Sequence, residues 1–395
     1  MGLYPARSME RAMKFQEVIL RAMSKQITWW QAAEILGMSP RSLRRYRQRM
    51  ERFGYEGLLD QRTRRPSARR VPVATVENVL QLYRERYFDF NVRHFHEKLV
   101  EEHQIELSYT WVKNALQQAG LIARRKKRGR HHKRRPRLPL PGMLLHIDGS
   151  EHAWLGAEHG RFDLITVMDD ATSEIYYARF VDEESTDTIL AALQSVVAAH
   201  GVFCSLYSDR ATHFVFTRKA GERPDRAVRT QVGRALEQLD IELIPANSPQ
   251  ARGRCERAYG TLQGRLPQEL RAADITSIDR ANQFLENFLA GHNKRFALAP
   301  AQDGTAFVPY SGTDLDRIFS KHSERIVGND NTVSFGKLKL QIERQAFRFT
   351  MAKCRVIVCE HLDASLSIYY GPNLLGRYDR TGAILTPQSS KGHAA

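Results

Sequence analysis

The chain is poor in cysteine: its 395 residues include only Cys204, Cys255, Cys354 and Cys359. So few thiols form no disulfide framework, which fits a reducing interior. Long hydrophobic runs are also missing. None approaches the roughly 18 residues of a membrane span, and mean hydropathy is -0.47. The opening stretch MGLYPARSMERAMKF has no apolar core of a secretory signal, so none is expected there. At 42% hydrophobic and 26% charged, the composition is that of a globular protein, which excludes wholesale disorder and a fibrous chain.

What the sequence does have is basic charge, and it is concentrated. The formal net charge is +16. Residues 1–142 carry +18, while 143–395 carry −2. A basic block on an otherwise neutral protein points to a polyanion, above all nucleic acid. Within it, Thr28 can cap a helix through Gln31, Ala33, Ile35 and Leu36, and Gly37 breaks that helix. Ser39 and Pro40 then supply the N-cap and first position of a second helix. That helix places Leu43, Tyr46 and Met50 on one face and leaves Arg41, Ser42, Arg44, Arg45 and Gln48 elsewhere on its surface. This is a helix-turn-helix layout with an Arg-rich second helix. A second unit over about 73–122 reads as helices near 74–87, 92–103 and 109–119. Lys113, Asn114 and Gln117 would face outward there, able to reach bases or phosphates. Two basic connectors accompany these units. Residues 61–72 contribute Arg64, Arg65, Arg69 and Arg70. Residues 123–142 contribute Arg124, Arg125, Lys126, Lys127, Arg128 and Arg130. Both are expected to follow phosphates, with His131 and His132 part of the second arm rather than a metal site.

From Met143 the pattern changes. Strands at 144–147, 162–168 and 175–181, a helix at 186–200, a strand at 202–207, a helix at 228–239, a strand at 241–244 and a helix at 252–266 describe a mixed α/β sheet. A connector (296–322) follows, then short strands near 332–335, 338–342, 355–359 and 366–370. These predict a small antiparallel β-barrel over 323–380, with residues 381–395 a disordered tail. Asp148 ends the first strand, Asp209 follows the buried strand, and Glu256 opens the helix after NSPQARG. Three converging carboxylates make a hard-oxygen site for Mg²⁺ or Mn²⁺. Asp169 and Asp170 read as hairpin-turn acids, and Asp182, Glu183 and Glu184 as a loop and helix start. Arg252, Arg254 and Arg257 flank Glu256 and can hold phosphates. Cys255 reads as a packing thiol, and Cys354 and Cys359 as buried barrel residues.

The strings HIDGSEHAWL, YSDRATHF and SPQARGRCERAYGTLQGRLPQEL resemble the three signature blocks of DDE transposases of the retroviral-integrase-like (rve core) superfamily. The nearest likeness is to the bacterial ISNCY-group insertion-sequence transposases. AAEILGMSPRSLRRYRQRMERFGYEGLLD is similar to their leading helix-turn-helix, and DNTVSFGKLKLQI with CEHLDASLSIYYG to their C-terminal barrel. The resemblance implies an RNase H-like catalytic core at 143–295 with Asp148, Asp209 and Glu256 as catalytic and metal-binding triad. It further implies two Mg²⁺ ions, with Asp148 bridging them and Asp209 and Glu256 each holding one. The implied protein is a cytoplasmic, nucleoid-associated bacterial homo-oligomer, dimer or tetramer. It binds terminal inverted repeats, frees 3′-OH ends and joins them to target DNA. Two features depart from the pattern. The 46 residues between Asp209 and Glu256 exceed the usual gap, with the polar stretch 217–227 as the surplus, and no zinc module precedes the core, so no zinc is expected. A catalytically silent DNA-binding regulator and a nonspecific RNase H-type nuclease remain open alternatives.

Overall fold

The computed structural model describes residues 6–59, 70–124, 136–216, 228–246 and 253–385. Most of both basic connectors and all of 217–227 lie outside the described residues. The chain divides into two compact units, Met1–Val79 and Leu80–Ala395.

The first unit is helical: α1 (Ala6–Met23), α2 (Trp29–Ile35) and α3 (Pro40–Phe53), closed by a 3₁₀ turn at Gly54–Leu58. Its boundaries follow from local chemistry. Thr28 and Gln31 form a capping box at α2. Gly37 turns the chain at φ +61°, where a Cβ would be strained. Ser39 caps α3, with Pro40 at its start. Leu43 is buried, and Tyr46 and Met50 pack with it against Phe15, Ile19 and Ala33. The first helix α1, absent from the sequence reading, supplies half of this core. Without it the two helices of the motif would have nothing to bury against.

The second unit opens with three helices, α4 (Val73–Glu85, through which the division between units passes), α5 (Val92–Glu101) and α6 (Tyr109–Gln118). Asn91 caps α5 and Ser108 caps α6. The catalytic-core region follows with β1 (Leu145–His152), β2 (Phe162–Asp169), β3 (Ile175–Val181), α7 (Thr186–His200), β4 (Ser205–Ser208), α8 (Gln231–Gln238), β5 (Glu242–Pro245) and α9 (Gly253–Gln263). Strand order is β3-β2-β1-β4-β5. The first three strands are antiparallel, and β4 and β5 join in parallel. This is the expected RNase H-like mixed sheet. Alternation along the strands builds two cores. Leu145, Ile147, Ile165 and Val167 pack under α7 and α8. Leu164, Met168, Ile175 and Phe180 pack with Trp154 against α9, α10 (Leu266–Ala272) and α11 (Ile278–Phe296). Pro267 stands at the start of α10, where its missing N–H costs nothing.

Helix α5 docks on this second face through ion pairs. Arg265 Nη1 and Nη2 donate to Glu97 Oε2 and Oε1 at 2.6 and 3.2 Å. Lys98 Nζ and His94 Nε2 meet the two oxygens of Glu269 at 2.8 and 2.6 Å, and Arg271 grips Asp89.

The connector expected at 296–322 is part of the core. Its short helix α12 (Leu315–Ile318) and Phe319 join the cluster under α7 and α8. The C-terminal region corrects the barrel expectation. Among the described residues it is an open four-stranded antiparallel sheet, β11-β10-β9-β6, with a separate hairpin β7-β8. The strands are β6 (Lys321–Ile326), β7 (Thr332–Phe335), β8 (Leu338–Gln341), β9 (Arg355–Glu360), β10 (Leu366–Tyr370) and β11 (Asn373–Tyr378). The hairpin contributes Val333 and Leu340 to a core shared with Val356, Val358 and Ile368, so packing rather than hydrogen-bond closure joins the two layers. Cys354 and Cys359 are buried there. Residues 381–385, expected in a disordered tail, turn back so that Leu385 N–H donates to Arg377 O at 2.7 Å.

Replacing Ser39 by Ala leaves the Ser42 N–H without its side-chain acceptor. We expect a loss of about 1 kcal/mol in the stability of the first unit, read as a lower midpoint in chemical denaturation followed by helical circular dichroism.

Candidate catalytic site

Parallel pairing of β1 with β4 sets Leu145 opposite Leu206 and His146 opposite Tyr207. Two residues further along both strands stand Asp148 and Asp209. The register therefore brings these two acids level on neighbouring strands, although 60 residues separate them in the chain. Asp148 does not end its strand as expected but lies within β1, which runs on to His152 along β2, while Asp209 directly follows β4. Both are half-buried. In the antiparallel ladder Asp148 pairs with Thr166, so by alternation its side chain takes the face that α9 covers.

Helix α9 is laid along β1 by three anchors. Gln263 Nε2 donates to Ser150 Oγ at 3.1 Å. The Tyr259 hydroxyl donates to the main-chain carbonyl of Asp148 and lies 2.8 Å from Thr166 Oγ1. Burial, with the Asp148 carboxylate adding to it, pushes the Tyr259 phenol well above its ordinary value, so it remains a donor. The third anchor is Arg254, whose guanidinium donates to Asp170 Oδ1 and, at 2.8 Å, to Pro136 O. Glu256 sits on the same helix, one turn before Tyr259, and is exposed.

Asp170 is the centre of a buried network. It also accepts from His146 Nε2 at 2.8 Å and from Leu138 N–H at 3.0 Å, while Arg137 Nη1 donates to the carbonyls of Asp170 and Ala171. Burial alone would raise the Asp170 carboxyl. The hydrogen bonds from His146, Leu138 and Arg254 outweigh it and hold the group well below the usual carboxylate range. Asp169 accepts from Gly142 N–H at 2.9 Å and from Thr172 N–H at 2.8 Å, so both acids of the β2–β3 hairpin are structural, as the sequence reading had them.

Arg254 was expected at the surface, holding a phosphate or pairing with Glu256. Instead it is buried on Asp170, because the hairpin carboxylate would otherwise stand uncompensated inside the protein. Arg257 is exposed, and Arg252 lies outside the described residues. Cys255 is buried among the α9 contacts, as expected of a packing thiol. The last part of the second basic connector, from Pro136 onward, belongs to this network rather than to a free arm.

On the recognition side, Arg41, Arg44, Arg45 and Gln48 are exposed on α3. Ser42 is half-buried and bonded to Ser39 within the cap. Lys113 and Asn114 are exposed on α6 and Gln117 half-buried; Arg70 and Arg124 are exposed. Arg64, Arg65, Arg69, Arg125, Lys126, Lys127, Arg128 and Arg130 lie outside the described residues. Tyr259, Thr166, His146 and Arg137 went unrecognised in the sequence, since each works through a partner distant in the chain.

The donors on the paired strands are carboxylate oxygens, the chemistry that suits Mg²⁺ or Mn²⁺. Among the described residues no three His, Cys, Asp or Glu side chains are gathered within reach of one metal ion. The sheet aligns Asp148 and Asp209, and Glu256 is presented separately by α9. No helix among the described residues is long and apolar enough to cross a membrane.

Asp170→Asn removes the carboxylate facing Arg254, and the fold is expected to lose about 3–5 kcal/mol, measured by urea denaturation. Because the Asp170 pKa is depressed in the folded protein, the stability it provides is complete above about pH 4 and lost as pH falls below that. The Asn variant should therefore show a shallower loss of stability between about pH 4 and pH 2 than the wild type.

Residues 16–67 match the family model described as a helix-turn-helix domain. The chain is 34% identical over 336 residues to y4bF of Sinorhizobium fredii, a protein named as a transposase, covering 85% of this chain and 73% of that one. It is 26% identical to the transposase for insertion sequence IS1202 of Streptococcus pneumoniae, over 86% of this chain and 81% of the relative. Among solved structures, an intasome of simian T-cell lymphotropic virus in complex with the PP2A regulatory subunit B56 gamma aligns at 14% identity with TM-score 0.33, covering 74% of this chain and 99% of that one. The identity and coverage shared with the first relative settle the family: the chain belongs to the transposases.

Proposed function

We propose that this transposase cuts DNA at the ends of a mobile element and joins the freed 3′-OH to target DNA, with Asp148, Asp209 and Glu256 as its catalytic acids. The observation that carries the reading is the β1–β4 register, which aligns Asp148 with Asp209 while Tyr259 ties α9, and with it Glu256, to the Asp148 carbonyl. These three carboxylates would hold divalent ions, Mg²⁺ or Mn²⁺, most simply as a pair. When bound, such ions activate the attacking oxygen and stabilise the leaving oxygen of a phosphodiester. The chain's own residues do the rest. Arg41, Arg44, Arg45 and Gln48 on α3 would read the terminal repeat in the major groove. Lys113 and Asn114 on α6, with the basic connectors, would hold flanking phosphates. Arg257, exposed one residue beyond Glu256, would steady the scissile strand. Joining two element ends at once calls for at least two copies of the chain.

The test is a strand-transfer assay on end-containing duplex with Mg²⁺. Wild type should give joined product, and Asp148→Ala, Asp209→Ala and Glu256→Ala should each fall to background while binding the duplex as before. Equal product from wild type and Asp148→Ala would refute the assignment. Binding by the wild type without cleavage would favour a regulator.

Duplex affinity should also fall steeply with salt, each phosphate contact adding about 0.9 to the log–log slope. Replacing Lys113 and Arg124 by Ala together should lower that slope by about two, whereas a flat response in the wild type would rule out phosphate contacts.

A further inference from the structure

Glu184 stands just before the Ser185 N-cap of α7, and its surroundings tie together the two segments that carry the aspartates. Its backbone N–H donates to Asp163 Oδ2 at 2.8 Å, at the start of β2. Its Oε1 is 2.6 Å from His213 Nε2; since a carboxylate only accepts, Nε2 carries the proton. Its other oxygen lies against Gly149, the residue after Asp148. A Cβ built on Gly149 would collide with Glu184 Oε2 and come within 3.3 Å of Ile165 Cδ1.

His213 belongs to the turn that follows β4. There Asp209 Oδ1 accepts the Ala211 N–H at 2.8 Å, Phe214 N–H donates to Ala211 O at 3.0 Å, and Thr230 Oγ1 donates to Phe214 O at 3.2 Å. Phe214 and Val215 then plunge into the core under α7 and α8. One carboxylate therefore touches the backbone beside Asp148 and the turn that holds Asp209. By strand alternation Gly149 faces away from the side that bears the Asp148 side chain, so Glu184 supports the site from behind.

We propose that Glu184 and His213 form a positioning clamp that fixes the Asp209 turn against the middle of β1, and that position 149 lacks a side chain in order to admit it. The inference rests on the reading of Asp148 and Asp209 as metal ligands. Its role is to set where the two carboxylates stand, ahead of any DNA.

The test uses the full chain without DNA, measuring Mn²⁺ binding from the electron paramagnetic resonance signal of the free ion, and thermal unfolding in parallel. Glu184→Ala should weaken Mn²⁺ binding about tenfold, the lower range for partners that orient metal ligands, with the melting temperature little changed. Glu184→Gln should retain binding, because the amide oxygen still accepts the His213 proton. Gly149→Ala should reproduce the Glu184→Ala loss, since its methyl displaces a flexible carboxylate rather than backbone. The double variant Gly149→Ala/Glu184→Ala should be no worse than either single one, the methyl then having nothing to displace. Wild-type Mn²⁺ affinity in Glu184→Ala, or losses that add in the double variant, would overturn the clamp. Asp209→Asn is the control. If it binds Mn²⁺ as the wild type does, the ligand reading falls and the clamp falls with it. If it loses binding while Glu184→Ala does not, only the clamp is refuted.

Discussion

Parallel hydrogen bonds between β1 and β4 hold Leu145 against Leu206 and His146 against Tyr207. A strand's side chains alternate with period two, so a slip of one residue would turn Leu145, Ile147 and Leu206 out of the core under α7 and α8. The apolar residues fix the register, and the register fixes the acids: Asp148 and Asp209 come level because the residues before them must be buried. The antiparallel β1–β2 pair on the other side sets Thr166 opposite Asp148, which gives Tyr259 its place and α9 its line. The candidate site is thus a by-product of core packing on β1, β2 and β4 and of one phenol.

Charge inside the second unit is arranged by the same logic of compensation. Asp170, Arg254, His146 and Arg137 are drawn together where the β2–β3 hairpin, the start of α9 and the chain from Pro136 meet. A buried carboxylate in that position needs cationic and N–H partners, and it takes them from segments that otherwise read as DNA-facing. On the opposite side of α9 and α10, the acids Asp89, Glu97 and Glu101 of the helical module turn onto Arg271, Arg265 and Arg295 of the core. These three acids are matched internally, and α6 keeps Lys113 and Asn114 exposed. The overall excess of +18 in the first 142 residues therefore understates how one-sided the outward charge is.

Much of the architecture was legible because it is local. Thr28, Ser39, Asn91 and Ser108 cap helices by reaching residues three positions away, and Gly37 turns the chain by its own backbone freedom. The apolar strands at 162–169 and 175–181 announce themselves by composition. What could not be read was polar or non-local. Strand β6, KHSERI, is half-exposed and has no apolar pattern, so only its pairing with β9 makes it a strand. Barrel closure was inferred from strand count, yet closure depends on which edges meet, and here the hairpin joins by packing and by the Tyr378 hydroxyl donating to Gln341 O, without a ladder. Arg254 illustrates the limit most clearly: one residue away from Cys255 and two from Glu256, it carries no sign in sequence that its partner is Asp170, 84 positions earlier.

The sequence by itself determined the order and spacing of the acids, where helices begin, and that the basic charge lies in the first third. Those properties reside in side-chain type and in spacings of a few residues. The tertiary structure alone decided that Asp148 and Asp209 stand side by side, that Tyr259 and Arg254 carry α9, and that Glu184 reaches Gly149 and His213. Each of these joins segments tens of residues apart, and only the packed sheet, whose register follows from burying apolar side chains on its two faces, brings them within hydrogen-bond distance.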